Sequence, residues 1–301
     1  MYKKSFNYMG TKYPLLGQIL PLFPKNIRNF YELFGGSATV SMNLNAEKYY
    51  INDLNEHIYN LYNLFKNTSA DEIIKYCYEM RNKYGFSIDE KDKPKIAELN
   101  KEPYMKCREY LNENPSTIGY YFLTFYSFCN QFRFSNNNGK KKFNMPVGNG
   151  YFKKDSEISI KNLCNFFNKE NVNLFNLSYD EIDLSDFDKE KDFIYLDSPY
   201  SANTNAVYNE KRDMEGWGEL QDKKFFSWCE ELNEKGYRFA MSNVFCNKGY
   251  EAVYLQNWCK ENNMVVHHLN MKYASHGIDN NYTDEVLICN YGEQPKDIFD
   301  L

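Results

Sequence analysis

Short apolar runs recur along this chain, each closed by a turn signal and several followed by a helical pattern, and this alternation restricts the fold more than any other feature. The runs are Phe30 to Phe34 (FYELF), Tyr49 to Asn52 (YYIN), Phe193 to Leu196 (FIYL), Arg238 to Ser242 (RFAMS), Met264 to Asn270 and Glu285 to Tyr291. Gly35-Gly36-Ser37 and the helix-like ATVSMNLNAEKY follow the first, and LNEHIYNLYNLFK follows the second. Strands alternating with helices predict an α/β fold with a mostly parallel, doubly wound sheet. The last two runs flank a polar loop, Lys272 to Asp284, and can pair antiparallel at a sheet edge.

Residues 55–160 break the alternation. They are charged and aromatic, with helical periodicity in DEIIKYCYEMRNKY and TIGYYFLTFYSFCNQF, and Asn136-Asn137-Asn138-Gly139 reads as a turn. The expected organisation is one α/β domain over 1–54 and 161–301, interrupted by a mainly helical insertion over 55–160.

With 301 residues, 43% of them hydrophobic and 26% charged, the chain can build a continuous core. Its mean hydropathy is -0.71, and no stretch approaches the roughly 20 apolar residues of a membrane span. Lysines near the N-terminus precede no apolar run, so MYKKSFNYMG does not read as a secretory signal, and a cytoplasmic protein is expected. The eight cysteines (Cys77, Cys107, Cys129, Cys164, Cys229, Cys246, Cys259, Cys289) form no C-x-x-C pair. Zinc ribbons and thioredoxin-like redox sites are therefore disfavoured, and buried thiols in a reducing compartment are expected. His57, His267, His268 and His276 are too dispersed for a metal cage, so no metal is expected.

A net charge of -5 argues, alone, against a polyanion partner. The distribution argues the other way. Residues 1–31 carry Lys3, Lys4, Lys12, Lys25 and Arg28 without an acid, and residues 133–154 carry Arg133, Lys140, Lys141, Lys142, Lys153 and Lys154 without one. Local charge steers a polyanion, although solvated loops would have the same composition.

Two segments suit chemistry. Phe34-Gly35-Gly36-Ser37-Ala38 follows a strand and is expected to open a helix, where backbone N–H groups can face a ligand. It is neither a Walker A loop nor G-x-G-x-x-G. Asp53, at the end of the next strand, can accept hydrogen bonds from two ribose hydroxyls, although a turn and a helix-capping Asp would look the same. Asp197-Ser198-Pro199-Tyr200 follows FIYL directly, at a strand end where open α/β sheets bind ligands. A carboxylate and a carbonyl beside a proline can accept both hydrogens of an aromatic amino group, and a tyrosine can stack on its ring. A Pro turn beginning with Asp is the plainer alternative.

The order of segments resolves these readings. Asn7-Tyr8-Met9-Gly10-Thr11-Lys12, Glu32-Leu33-Phe34-Gly35-Gly36-Ser37, Asn52-Asp53, an insertion and then Asp197-Ser198-Pro199-Tyr200 resemble the Dam-type, alpha-ordered DNA adenine-N6 methyltransferases. Gly139 to Gly148 (GKKKFNMPVG) looks like that family's G-x-F-N-x-P-x-G segment. Arg238-Phe239-Ala240-Met241-Ser242-Asn243 and Glu285 to Tyr291 match as well, so the resemblance touches nearly the whole chain.

The resemblance implies a Rossmann-like sheet using S-adenosylmethionine, with a target-recognition insertion. Tyr8, Gly10 and Lys12 would lie at the carboxylate end of the cofactor, Phe34, Gly36 and Ser37 beside it, and Asp53 on its ribose. Ser178 or Asp180, beside Tyr179, would meet its adenine, and that choice stays open. Asp197, Ser198, Pro199 and Tyr200 would be catalytic, acting on an adenine flipped out of double-stranded DNA. Asn130, Arg133, Lys140, Lys141 and Lys142 would contact DNA. Phe132 and Phe134 read as core rather than as wedges.

Two positions depart from the family pattern: Ser198 stands where proline is usual and Ala38 where glycine is. Neither removes a reacting group. A cognate restriction endonuclease, a bacterial or mobile-element source, and a monomer or weak dimer fit the same resemblance. The competing expectations are the same fold acting on RNA or another amino group, and a catalytically silent DNA-binding regulator. Asp at the first tetrad position speaks against the cytosine and glutamine variants.

Overall fold

The computed structural model describes residues 3, 5–8, 10–88, 95–137, 140–200, 217–247, 249–270 and 283–294. Its strands are β1 (Ile27–Glu32), β2 (Ala46–Asn52), β3 (Phe134–Asn137), β4 (Lys140–Phe143), β5 (Val172–Phe175), β6 (Phe193–Leu196), β7 (Phe239–Asn247), β8 (Tyr250–Glu251), β9 (Val265–Leu269) and β10 (Thr283–Cys289). Its helices are α1 (Leu16–Ile19), α2 (Glu56–Asn67), α3 (Ala70–Tyr84), α4 (Ile96–Leu99), α5 (Lys101–Glu113), α6 (Thr117–Thr124), α7 (Lys154–Phe167), α8 (Glu219–Glu234) and α9 (Val253–Glu261).

The main sheet runs in the order β5-β2-β1-β6-β7-β10-β9, with β8 paired to the far end of β7. Pairings along β5-β2-β1-β6-β7 are parallel, and β10 runs antiparallel to both its neighbours. The expected mostly parallel sheet with an antiparallel C-terminal edge is therefore present.

The central strands are apolar on both faces because both faces are covered. In β6, Phe193 and Tyr195 face a cluster with α2 and α7, while Ile194 and Leu196 face a second cluster with α8 and α9. The first cluster does not stop at the sheet. It continues through Ile58 and Phe65 of α2 to Tyr104, Phe122, Phe134 and Phe143 of residues 55–160. The boundary expected at residue 160 falls inside α7.

The helix expected over ATVSMNLNAEKY is absent. After β1 the chain makes turns, a 3-10 helix at Ser41–Asn43 and then β2, which begins at Ala46. Two bonds hold this path: the buried Glu32 carboxylate accepts the Ser41 amide at 3.0 Å and also the Ser41 hydroxyl. Gly36 and Ala38 both have φ of 50°, which no α-helix tolerates.

The TIGYYFLTFYSFCNQF helix ends early, at Thr124, and Cys129 and Asn130 then adopt left-handed backbone (φ 54° and 52°). The expected turn at 136–139 is only partly right. Asn136 and Asn137 pair in a hairpin with Lys141 and Lys140, and residues 138–139 lie outside the described residues. Six cysteines are buried, with Cys246 half-buried and Cys129 exposed, and all of these thiols are free.

Candidate active site

The C-terminal ends of β5, β2, β1 and β6 form one rim, the edge at which open α/β sheets bind ligands. Four expected segments arrive there: Tyr179 and Asp180 after β5, Asp53 after β2, Phe34 to Ser37 after β1, and Asp197 to Tyr200 after β6.

The glycine segment is shaped by its neighbours. Gly35 donates its N–H to the Asn52 carbonyl at 2.7 Å, and a Cβ on Gly35 would meet the Tyr62 hydroxyl at 2.6 Å. Tyr62, from α2, donates that hydroxyl to the Gly36 carbonyl at 2.7 Å. A Cβ on Gly36 would lie 3.1 Å from the Tyr8 ring, so the N-terminal segment closes over the loop. The hydroxyl contact of Thr11 with Thr39 at 3.4 Å and the Ser5 bond to the Ser37 carbonyl fasten that segment down. Ser37 is buried, with its hydroxyl on Thr39 at 2.7 Å.

Asp53 is buried and braced: Oδ2 accepts the Gly36 amide at 2.7 Å and Oδ1 the Asn55 amide at 2.9 Å. Burial raises its carboxyl to about 6, against the pull of those two amides. Asn52 ties the rim together, donating to the Leu33 and Leu177 carbonyls at 3.0 Å each.

An aromatic wall lies on the β5 side. Phe34 packs on Tyr179 and Phe225 (centroids 5.5 Å each) and on Trp217 at 5.8 Å. The Ser178 hydroxyl donates to the Asp180 carboxylate, so the two alternatives for the cofactor adenine are bonded to each other.

Across the rim, Asp197 and Tyr200 meet. The Tyr200 hydroxyl donates to Asp197 Oδ1 at 2.9 Å, and burial, then the Asp197 charge, push that phenol well up. Ser198 is buried and Pro199 half-buried. Lys12, expected at the cofactor carboxylate, places its ammonium 2.7 Å from Asp197 Oδ1 and 3.0 Å from the Gly10 carbonyl.

Glu32 stands in a matched segment of the sequence but is assigned no role there, although an acid inside the apolar run FYELF is a visible signal. Burial raises its carboxyl to about 8, the Ser41 bonds oppose this, and the Asp197 and Asp53 charges add to it. Tyr62 and Trp217 were also not anticipated, since neither stands in a motif.

In the insertion, Phe132 and Phe134 are buried, as expected. The Asn130 amide donates to the Thr124 and Phe125 carbonyls at 3.0 and 3.2 Å, so both its hydrogens serve the loop. Arg133 is half-buried, and its Nε donates to Asn144 Oδ1 at 3.0 Å across the base of the hairpin. Lys142 is exposed, and Lys141 lies 3.9 Å from Glu56. Lys140 is placed on β4 by its backbone alone. Among the described residues, no group of three or more His, Cys, Asp or Glu is arranged to hold a metal ion, and no helix is long and apolar enough to cross a membrane.

Comparison with known proteins bears on this geometry. The model of the family described as D12 class N6 adenine-specific DNA methyltransferase matches residues 8–273. The chain is 34% identical over 300 residues to modification methylase StsI of Streptococcus sanguinis, covering 96% of this chain and 43% of that protein. It is 33% identical to type II methyltransferase M.FokI of Planomicrobium okeanokoites, covering 98% of this chain and 44% of that one. A DNA adenine methylase of Haemophilus influenzae is 27% identical over 66% of this chain and 64% of its own length. The chain thus spans less than half the length of the first two relatives. The match to the family model runs through the glycine loop, Asp53 and the Asp197–Tyr200 tetrad, and the chain belongs to the D12 class N6 adenine-specific DNA methyltransferase family.

Proposed function

We propose that this chain is a site-specific DNA methyltransferase that moves a methyl group from S-adenosylmethionine to the 6-amino group of an adenine flipped out of double-stranded DNA. One observation carries the reading: Asp197 and Tyr200, bonded at 2.9 Å, stand at the end of β6 beside the glycine loop of β1.

The donor set suits the cofactor. Asp53 offers carboxylate oxygens to ribose hydroxyls, Phe34 and Tyr179 offer aromatic surface to an adenine, and the left-handed Gly36 packs against the Tyr8 ring so closely that a Cβ would lie 3.1 Å from it. Tyr8, Gly10, Lys12, Ser37 and Asp180 complete the proposed cofactor-binding set. When bound, S-adenosylmethionine supplies an electrophilic methyl on a sulfonium.

The protein's own part is alignment. The 6-amino nitrogen of adenine is a poor nucleophile because its lone pair is delocalised into the ring. Asp197 and the Ser198 carbonyl accept its two hydrogens, which favours a tetrahedral nitrogen and offsets its developing positive charge. The Tyr200 ring replaces the stacking that the base loses on leaving the duplex.

Residues 55–160 act as the target-recognition region, with Arg133 and Lys140 to Lys142 toward DNA and Asn130 shaping the loop beneath them. The enzyme works in the cytoplasm, as a monomer or weak dimer, alongside a cognate restriction endonuclease. The relatives' names, a modification methylase and a type II methyltransferase, support the restriction-modification part of this reading.

The test is incubation with mixed genomic DNA and labelled S-adenosylmethionine, followed by single-molecule sequencing. Methyl groups on adenines of one short motif are expected, and their loss in Asp197→Ala with cofactor binding retained. Label in RNA or protein alone, or an Asp197→Ala enzyme of normal turnover, would overturn the assignment.

A further inference from the structure

Lys12 stands against both residues that the proposed function assigns to the target base. Its ammonium lies 2.7 Å from Asp197 Oδ1 and 5.2 Å from the centre of the Tyr200 ring, over its face. The Tyr200 hydroxyl donates to the same Oδ1. A single cation therefore engages both groups a flipped adenine would need: the acceptor for its amino hydrogens and the ring on which it would stack. The Lys12 side chain is only 6% exposed, so water screens this pair poorly.

A neutral aromatic amine is a weak competitor for that position. Hydrogen bonds to an ionised donor are about twice as strong as neutral ones, and displacing Lys12 without another anion would leave a buried charge unpaired. The anion that the proposed reaction supplies is the carboxylate of S-adenosylmethionine. The Gly10 carbonyl holds the ammonium at 3.0 Å, and Tyr8, two residues earlier, covers Gly36 of the glycine loop. Lys12 thus links the N-terminal segment that packs on the glycine loop to Asp197 at the end of β6, on a flexible four-carbon arm.

We propose that Lys12 is a placeholder that makes base capture depend on the cofactor. It holds Asp197 and Tyr200 until the carboxylate of a bound amino-acid nucleoside gives its charge a new partner, and only then does the base site open. This role rests on the methyl-transfer reading, and it adds an order of events: nucleoside first, flipped base second. The exchange is non-covalent, one ion pair for another.

Two measurements test it. In a crystal structure with S-adenosylhomocysteine, Lys12 Nζ should lie more than about 4 Å from both Asp197 oxygens, the distance beyond which an ion pair is no longer counted. With 5′-methylthioadenosine, which lacks the carboxylate, the Asp197 contact should persist. Retention of the contact in the S-adenosylhomocysteine complex would overturn the proposal.

The second measurement is the fluorescence of duplex DNA carrying 2-aminopurine at the mapped target adenine. Wild type should flip the base with S-adenosylhomocysteine and not with 5′-methylthioadenosine. Lys12→Met, which keeps length and apolar bulk, should flip about tenfold more base than wild type without any nucleoside. Equal flipping by wild type with and without S-adenosylhomocysteine, or continued dependence in Lys12→Met, would also overturn the proposal. The crystallographic arm needs no DNA, so its result stands whatever accepts the methyl group. Absence of methyl groups from DNA would bear on the functional reading alone.

Discussion

Gly36 donates its backbone N–H to Asp53 Oδ2 at 2.7 Å, joining the loop after β1 to the end of β2. The bond uses one lone pair of one oxygen and fixes the carboxylate for other donors. Asp53→Ala should weaken S-adenosylhomocysteine binding by about 10- to 100-fold, the worth of one or two hydrogen bonds to a charged group. Calorimetric titration measures this, and an unchanged Kd would contradict the ribose assignment. Because the carboxyl is raised to about 6, wild-type affinity should also decline as pH falls through that value, and the variant's should not.

The hairpin of β3 and β4 carries three consecutive lysines at its return strand. Replacing Lys140, Lys141 and Lys142 together with alanine should weaken DNA binding and lower the salt slope by about 2 to 3, near 0.9 per lost phosphate contact. An unaltered slope in a fluorescence-anisotropy titration would move the DNA contact elsewhere.

Glu32 is raised to about 8 because it is buried, so ionising it works against the fold. Its unfolded value is near 4.5. Native stability is therefore full below about 4.5 and declines as pH rises toward 8. Glu32→Gln, which cannot ionise, should gain Tm relative to wild type progressively from pH 5 to pH 8. A constant difference between the two melting curves across that range would contradict the burial argument.

Asp192 has the opposite sign. It is fully buried, and it accepts from Arg28 Nε at 2.8 Å, Arg28 Nη2 at 2.6 Å, the Asn29 amide at 3.1 Å and the Asp188 amide at 2.9 Å. Burial alone would raise its pKa, but the bonds from Arg28, Asp188 and Asn29 outweigh this and lower it. Its stabilisation is present above the unfolded value near 4 and lost as pH falls through the lower folded value. Asp192→Ala leaves several donors unsatisfied and should cost about 3 kcal/mol at pH 7, or about 5 °C in Tm. The difference should shrink below pH 4.

Legibility in the sequence followed local signals. FIYL became β6 to the residue, because four apolar positions buried on both faces end abruptly at Asp197. β2 was only half visible. β5 pairs with Tyr49 to Asn52 alone, so Glu47 and Lys48 remain exposed and carry no apolar signature. β5 itself was missed, being four residues long and interrupted by Asn173. The false helix after Gly36 arose from a contact no local pattern contains, between Glu32 and Ser41. At the site, the individual residues were legible as motifs. The pairing of Lys12 with Asp197 was not, since it joins positions 185 residues apart through the folded rim.

The core shared between the sheet and residues 55–160 limits how specificity can be re-engineered. Ile58, Leu61, Tyr62 and Phe65 of α2 belong to the one cluster that joins the sheet to residues 55–160, and Tyr62 also holds the Gly36 carbonyl. An exchange of the whole segment between relatives would replace half of that interior and the support of the glycine loop with it. A graft confined to the exposed positions of the loop and hairpin between α6 and α7, sparing the buried Phe132, Phe134, Phe143 and Met145, would leave that interior in place. If the proposed recognition role holds, new target sequences are best sought at exposed positions there such as Lys141 and Lys142, which can be rewritten without repacking the shared core.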